Sequence, residues 1–124
     1  MTEHASWDLT ECVSRLREFR EQRDWSQFHT PKDLAAAITI EAGELQELFL
    51  WKGRADVEEL LADDAQRRRV EDELADVLIY ALYLADRMNA DLAGIVARKI
   101  TANEARYDVE HHRGKAEKAE GSAG

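Results

Sequence analysis

Residues that break helices are scarce in this chain. Its 124 residues include one proline, Pro31, and six glycines, and three of these glycines stand at or beyond Gly114. Folds with many strands need glycine and proline at their frequent turns, so the scarcity disfavours such folds and favours long helices. The length is that of one domain, and a 44% share of hydrophobic residues is enough to build a core. We therefore predict an all-α fold.

The cysteine content and the hydropathy pattern predict a cellular compartment. A single cysteine, Cys12, excludes an internal disulfide and a cysteine-based zinc site, so we predict a reducing cytoplasm. No apolar run approaches the ~20 residues of a membrane span. The N-terminus also lacks the basic-then-apolar pattern of a signal peptide. We expect no contact with a membrane.

The charge of the chain bears on its partners. A formal net charge of −9 repels the phosphate backbone of DNA and RNA, so we expect no nucleic-acid polymer as a partner. Divalent cations, and phosphate groups that arrive with them, are compatible with such a charge.

The sequence predicts four main helices, over residues 10–24, 31–52, 64–88 and 92–107. The second has Thr30 as N-cap, Pro31 at its first position, Asp33 as the acid of a capping box and Gly53 as C-cap. Residues 54–63 are predicted as a loop with a short turn. Residues 77–85 are apolar all round, which predicts a buried central helix. We assign residues 1–107 to the folded domain and 108–124 to a charged, flexible tail.

Two of these helices carry acidic residues where apolar residues are expected. On a helical wheel, Glu41 lies at the centre of the apolar stripe of the second helix, and Glu44 lies at its edge. Glu73 lies on the apolar stripe of the third helix, with Asp76 beside it. Each helix therefore directs an acidic pair towards the predicted interior.

Four carboxylates in one interior must be neutralised by protons, by basic side chains or by a metal ion. An all-oxygen set of ligands selects a hard cation such as Mg²⁺, with Mn²⁺ as a possible substitute. A di-iron bundle would need Glu-x-x-His pairs, and none is present. The alternative is that these residues are solvated, as most helical glutamates are.

The remaining candidate residues are basic, amide or aromatic. Lys99 shares the apolar stripe of the fourth helix with Asn103. Lys99 either pairs with a buried carboxylate or binds a phosphate, and Asn103 either contacts a ligand or is a polar residue of the last turn. Trp25 and Trp51 flank the second helix and suit either base stacking or ordinary packing. Gly43, opposite Glu41, predicts a close approach of another helix.

Taken together, these residues resemble the all-α NTP pyrophosphohydrolases of MazG-like type, and among them the dCTP pyrophosphatase branch. The resemblance spans about residues 15–107. It rests on RDWSQFH at 23–29, EAGELQELFLWK at 41–52, ELADVLIY at 73–80, and the segment from Lys99 through Asn103 to Tyr107.

The resemblance implies a four-helix bundle that forms homodimers or homotetramers. It also implies hydrolysis of deoxynucleoside triphosphates, such as dCTP or modified pyrimidine dNTPs, to the monophosphate and pyrophosphate, by water that the metal activates. Such an activity cleans the nucleotide pool. The implied catalytic residues are Glu41, Glu44, Glu73, Asp76 and Lys99, of which the four acids bind Mg²⁺. The implied substrate contacts are Lys99 and Asn103 for the triphosphate and sugar, and Trp25, His29, Trp51 and Tyr80 for the base and deoxyribose.

A second hypothesis needs no chemistry. The net charge and the amphipathic helices also suit a non-catalytic acidic helical module that binds a basic partner. It predicts that Glu41→Gln changes neither cation binding nor any activity.

Overall fold

The computed structural model describes residues 8–117, and its regular structure there is entirely helical. The α-helices are α1 (Leu9–Gln22), α2 (Pro31–Glu47), α3 (Arg54–Ala62), α4 (Asp64–Arg87), α5 (Leu92–Arg106) and α6 (Val109–His112), with a short 3-10 turn at Ser26–Phe28. The all-α prediction is confirmed, although the described region has six α-helices where four main ones were predicted. None of the described helices is long and apolar enough to cross a membrane.

The described residues form two compact units, 8–90 and 91–117. In the first unit, α4 packs against α1, α2 and α3, as predicted for a central helix. Within residues 8–117, the buried apolar side chains all belong to this unit: Leu34, Leu60, Leu82, Tyr83 and Ala85. The middle of α4 is not buried on every side, because Leu78 keeps 56% of its surface exposed.

The start of α2 follows the prediction, but its end does not. The Asp33 amide donates to Thr30 Oγ1 over 3.1 Å, so Thr30 is the N-cap. The helix ends at Glu47, and the chain turns before Trp51, whose φ is 63°. Gly53 is therefore not a C-cap: it is the N-cap of α3, and its amide donates to the Asp56 carboxylate over 3.2 Å. The prediction of a loop over 54–63 is wrong because this capping acid starts a helix there.

Two further predictions concern Gly43 and the C-terminal tail. A Cβ atom at Gly43 would meet no atom within 4 Å among the described residues, so the predicted close approach of a helix is wrong. Within the predicted tail, Asp108 precedes the short helix α6 and contacts His111 Nδ1 over 2.6 Å. Residues 118–124 of the predicted tail lie outside the described residues.

A polar network ties α1 to α4 on one side of the first unit. Arg17 Nε and Arg20 Nη1 donate to the two oxygens of Asp86, over 2.6 and 3.2 Å. Burial raises the pKa of Asp86, but the bonds and charges of the two arginines outweigh burial and hold that pKa below its usual value. The Tyr83 hydroxyl also donates to the carbonyl of Leu16 over 3.1 Å. These contacts fix α1 against the helix that carries Glu73 and Asp76.

Candidate active site

The acidic residues predicted to face inwards come together where α2 packs against α4. Glu41 of α2 and Glu73 and Asp76 of α4 each offer a carboxylate oxygen, and these oxygens all lie within 4.8 Å of one another. Glu41 Oε2 and Glu73 Oε2 are shielded from solvent and have no hydrogen-bond partner among the described residues. Two buried acceptors of this kind are costly unless a ligand satisfies them.

Burial and mutual repulsion raise the pKa of these acids. Burial raises the pKa of Glu41 to about 7, and Glu44, Asp76 and Glu73 add to the rise. The pKa of Glu73 is also raised, first by burial and then by the charge of Glu44. Glu44 is itself exposed but acts on both residues, so all four acids form one electrostatic cluster, which we call the acidic cluster.

The acidic cluster fits a hard divalent cation. None of its four side chains forms an ion pair with a lysine or arginine of residues 8–117, so the basic neutralisation considered from the sequence is not seen there. The donor atoms near one another are carboxylate oxygens, which Mg²⁺ and Mn²⁺ prefer. The two shielded oxygens without partners are the acceptors that such a cation would satisfy.

A cavity of about 300 Å³ lies beside the acidic cluster in the same unit. Three of the four residues predicted to hold the base and deoxyribose line it, namely Trp25, His29 and Tyr80. The other lining residues are Phe28, Asp33, Leu34 and Ala37. Aromatic rings that line a cavity provide flat faces on which a base stacks.

His29 is packed against Tyr83 and hydrogen-bonded through its carbonyl in the wall of this cavity. Its side chain is buried, and its ring packs edge-on against Tyr83 with 4.6 Å between ring centroids. Arg87 Nε donates to the His29 carbonyl over 2.9 Å. Burial, followed by the charges of Arg20 and Arg87, lowers the pKa of His29, so the ring is neutral near pH 7. Its Nδ1 is buried without a hydrogen-bond partner among the described residues.

The cavity and the acidic cluster follow one another along the seam between α2 and α4. On α2, Asp33 and Ala37 line the cavity and Glu41 comes one helical turn later. On α4 the order is reversed, with Tyr80 at the cavity and Asp76 one turn earlier. The seam therefore places an aromatic compartment next to an acidic one.

The other predicted contacts lie elsewhere. Trp51 does not line this cavity; it is 93% exposed and borders a separate depression with Lys52 and Gln66. Lys99 and Asn103 lie four residues apart on α5, in the second unit, with Lys99 exposed and Asn103 half-buried. The substrate contacts assigned to these three residues stay predictions.

Sequence reasoning missed Asp33 as a residue of the cavity, because it was interpreted only as a capping acid. Its position supplied a signal, since Asp33, Ala37 and Glu41 follow at intervals of four and share one face of α2. Phe28, which belongs to the RDWSQFH motif at 23–29, also lines the cavity.

Comparison with known proteins places the chain in a family. The model of the MazG-like family matches residues 36–121. The chain belongs to the MazG-like family. Its curated relatives include dCTP pyrophosphatase 1 of Rattus norvegicus, 43% identical over 107 residues, and that of Homo sapiens, 42% identical over 98 residues. These alignments cover 86% and 78% of this chain, but 63% and 58% of the relatives, so the chain spans less than two thirds of their length.

A solved structure agrees with this assignment. The crystal structure of a pyrophosphatase from Archaeoglobus fulgidus matches with a TM-score of 0.75 and 41% sequence identity. The match covers 87% of this chain and 99% of the archaeal one. The family resemblance inferred from the acidic pairs and their flanking motifs is confirmed.

Proposed function

We propose that this MazG-like protein hydrolyses deoxynucleoside triphosphates between the α- and β-phosphates, releasing a monophosphate and pyrophosphate, with dCTP or a modified pyrimidine dNTP as substrate. The observation that carries the proposal is the pair of shielded, unpartnered oxygens of Glu41 and Glu73 beside an aromatic cavity. The names of the relatives, dCTP pyrophosphatase 1 and pyrophosphatase, support the same reaction.

The cofactor we propose is Mg²⁺, with Mn²⁺ as a substitute. Glu41, Glu73 and Asp76 would hold it, and Glu44 adds negative charge to the same cluster. When bound, such a cation supplies a Lewis acid that lowers the pKa of water and neutralises charge on the pyrophosphate. Without a cation, four carboxylates this close to one another would repel the phosphates of the substrate.

The order of compartments along the α2–α4 seam matches the order of groups in a nucleotide. The base stacks on Trp25 and Tyr80, and the phosphates reach the acidic cluster one helical turn further along α2. The rigid placement of His29 shapes the compartment before substrate arrives, which lowers the cost of ordering on binding. We retain Lys99 as the triphosphate contact, Asn103 as the sugar contact and Trp51 as a base contact.

We also propose that copies of this chain associate as a homodimer or homotetramer, and that the protein works in the cytoplasm on the free nucleotide pool. Leu74 and Leu78 lie one turn apart on α4 and are 48% and 56% exposed. Burial of this apolar strip against a second copy would remove it from water.

The decisive experiment incubates the protein with dCTP, 5-methyl-dCTP, dUTP, dTTP and the ribonucleotides, with and without Mg²⁺, and identifies products by phosphorus NMR. We expect equal amounts of monophosphate and pyrophosphate, and no product in EDTA. Release of a single phosphate, or no turnover of any triphosphate, would overturn the proposal.

A matched pair of variants separates this proposal from the non-catalytic alternative. Glu41→Gln removes one charge from the acidic cluster, and we expect it to abolish turnover. Glu71→Gln removes one charge from an exposed position on α4 that, within residues 8–117, pairs with Arg67, and we expect full activity. A non-catalytic module would show no triphosphate turnover in any of the three proteins.

A further inference from the structure

Asp33 places a solvent-exposed carboxylate among the residues that line the aromatic cavity. The residue lies in the first turn of α2, where its backbone amide bonds to Thr30 Oγ1. Asp33 lines the cavity, is exposed to solvent, and its carboxylate accepts no hydrogen bond from another residue of 8–117. Among these described residues, the capping contact therefore uses the backbone of Asp33 and leaves the side chain available.

A second polar side chain in the same wall is buried and lacks a hydrogen-bond partner among the described residues. His29 has only 9% of its surface exposed, and its Nδ1 is buried without a hydrogen bond among the described residues. Buried polar atoms are rarely left unsatisfied in folded proteins. A buried, unsatisfied polar atom and an exposed carboxylate in one cavity, lined otherwise by aromatic and aliphatic residues, indicate a site that is completed by a polar, flat ligand.

The charge of Asp33 restricts which part of a nucleotide lies beside it. A carboxylate repels phosphate groups and accepts hydrogen bonds but donates none when ionised. Asp33 is eight residues before Glu41, which is about 12 Å along the helix axis at 1.5 Å per residue. The phosphates therefore belong at Glu41 with their cation, and the aromatic residues around Asp33 favour the base at the other end, which Asp33 would meet through a hydrogen-bond donor.

We infer that Asp33 is a specificity-determining residue, which accepts a hydrogen bond from the exocyclic amino group of a cytosine ring. The inference rests on the proposed function. Cytosine presents its N4 amino group as a donor, and acidic side chains are its ordinary protein acceptors. Uracil and thymine carry an oxygen at the same ring position, and this oxygen would face the carboxylate without a proton between them. Asp33 thus selects 4-amino pyrimidines and disfavours 4-keto pyrimidines.

The test compares substrates that differ at this ring position. The ratio of kcat/KM is measured for dCTP against dUTP and for 5-methyl-dCTP against dTTP, in the wild-type protein and in Asp33→Asn. We expect the wild type to prefer the amino member of each pair at least tenfold. Asparagine has an NH₂ group that can donate to a keto oxygen, so we expect Asp33→Asn to lower both ratios at least tenfold.

Asp64→Asn is the matched control. Asp64 is an exposed acid in the first turn of α4, so its substitution removes the same charge from the same kind of helix position. It does not line the cavity, and both ratios should stay at their wild-type values. Melting temperatures of both variants show whether they fold equally well.

Binding of the products gives a readout that does not depend on turnover. Isothermal titration of dCMP and dUMP should show tighter binding of dCMP to the wild type and loss of that preference in Asp33→Asn. An unchanged preference in Asp33→Asn, or a wild type without preference for the amino member, overturns the inference about Asp33. Absence of triphosphate hydrolysis in the wild type overturns the proposed function instead, and the dCMP and dUMP titrations then decide the inference about Asp33 alone.

Discussion

Glu41 and Glu73 stand on neighbouring helices and each keeps one carboxylate oxygen shielded from solvent and without a hydrogen-bond partner among the described residues. Neither residue contributes to stability in this state, because desolvation and like charge both act against the ionised forms. A binding site that is destabilised when empty gains stability from its ligand, and this linkage can be measured without any assay of activity.

Mg²⁺ should therefore raise the melting temperature of the wild-type protein. At a concentration ten times the Kd, mass action adds about 1.4 kcal/mol to the free energy of unfolding. For a chain of this length, that corresponds to a rise of about 5 °C. Differential scanning fluorimetry checks this, and Glu41→Gln should remove the shift. Glu71→Gln serves as the control and should keep it, whereas an equal shift in all three proteins would place the cation elsewhere.

The stability of the metal-free protein should fall as pH rises from about 4.5 to 7. Glu41 has an ordinary pKa of 4.5 and a folded-state pKa of about 7, so the folded state holds a proton that the unfolded state has lost within this window. Stability then decreases with pH, because the native state binds more protons than the unfolded state. Urea unfolding in EDTA at several pH values measures the slope. Glu41→Gln should make the free energy of unfolding depend less steeply on pH. A slope of the same size in that variant would contradict Glu41 as the group that titrates in this window.

The sequence allowed Glu41, Glu44, Glu73 and Asp76 to be predicted as one group, because Glu41 and Glu73 interrupt periodic apolar stripes and the other two acids lie beside them, and periodicity is a local property. The end of α2 was not predictable in this way. The apolar pattern continues past Glu47, but the chain turns through a left-handed conformation at Trp51, which bulky residues rarely adopt. A helical wheel does not represent such a change of backbone conformation.

The role of Asp33 shows a second reason why sequence alone was insufficient. A first-turn acid after Thr30 has an adequate local explanation as a capping residue. Its place in a cavity depends on the packing of Tyr80 of α4 near the start of α2, and these residues are far apart in sequence.

The network at Asp86 should be important for stability. The Asp86 side chain is 8% exposed and that of Arg20 is 9% exposed, so Asp86→Asn leaves Arg20 buried with a weaker partner. Breaking a buried ion pair by removing one partner costs about 3 kcal/mol, which we expect as the loss in free energy of unfolding by urea. Asp72→Asn is the comparison, since Asp72 is 70% exposed and 3.8 Å from Arg68. Exposed pairs contribute less than about 1 kcal/mol, and similar losses in both variants would refute the importance of the Asp86 network.

Lys99 should act on substrate and not on the fold. Because Lys99 is exposed, Lys99→Met should leave the melting temperature unchanged. A charge-assisted hydrogen bond to phosphate contributes about 1.5 kcal/mol or more, so its loss should lower kcat/KM for dCTP at least about tenfold. Steady-state kinetics measure this, with Lys115→Met as a variant that removes an exposed lysine outside the regular helices. Equal values of kcat/KM for dCTP in the two variants would exclude Lys99 as a triphosphate contact.

The apolar strip on α4 should hold copies of the chain together. Leu78 is 56% exposed in the single chain, and a leucine that is buried only on association stabilises the oligomer by about 1.5 kcal/mol or more per copy. Leu78→Glu would place a charge in that interface, and we expect its mass in light scattering to fall to the 14.2 kDa of one chain. Leu9→Glu alters a leucine of α1 with a comparable exposure of 47% and should leave the mass of the oligomer unchanged. A wild-type mass of 14.2 kDa would contradict the proposed association, and an oligomeric Leu78→Glu would show that copies meet through another surface.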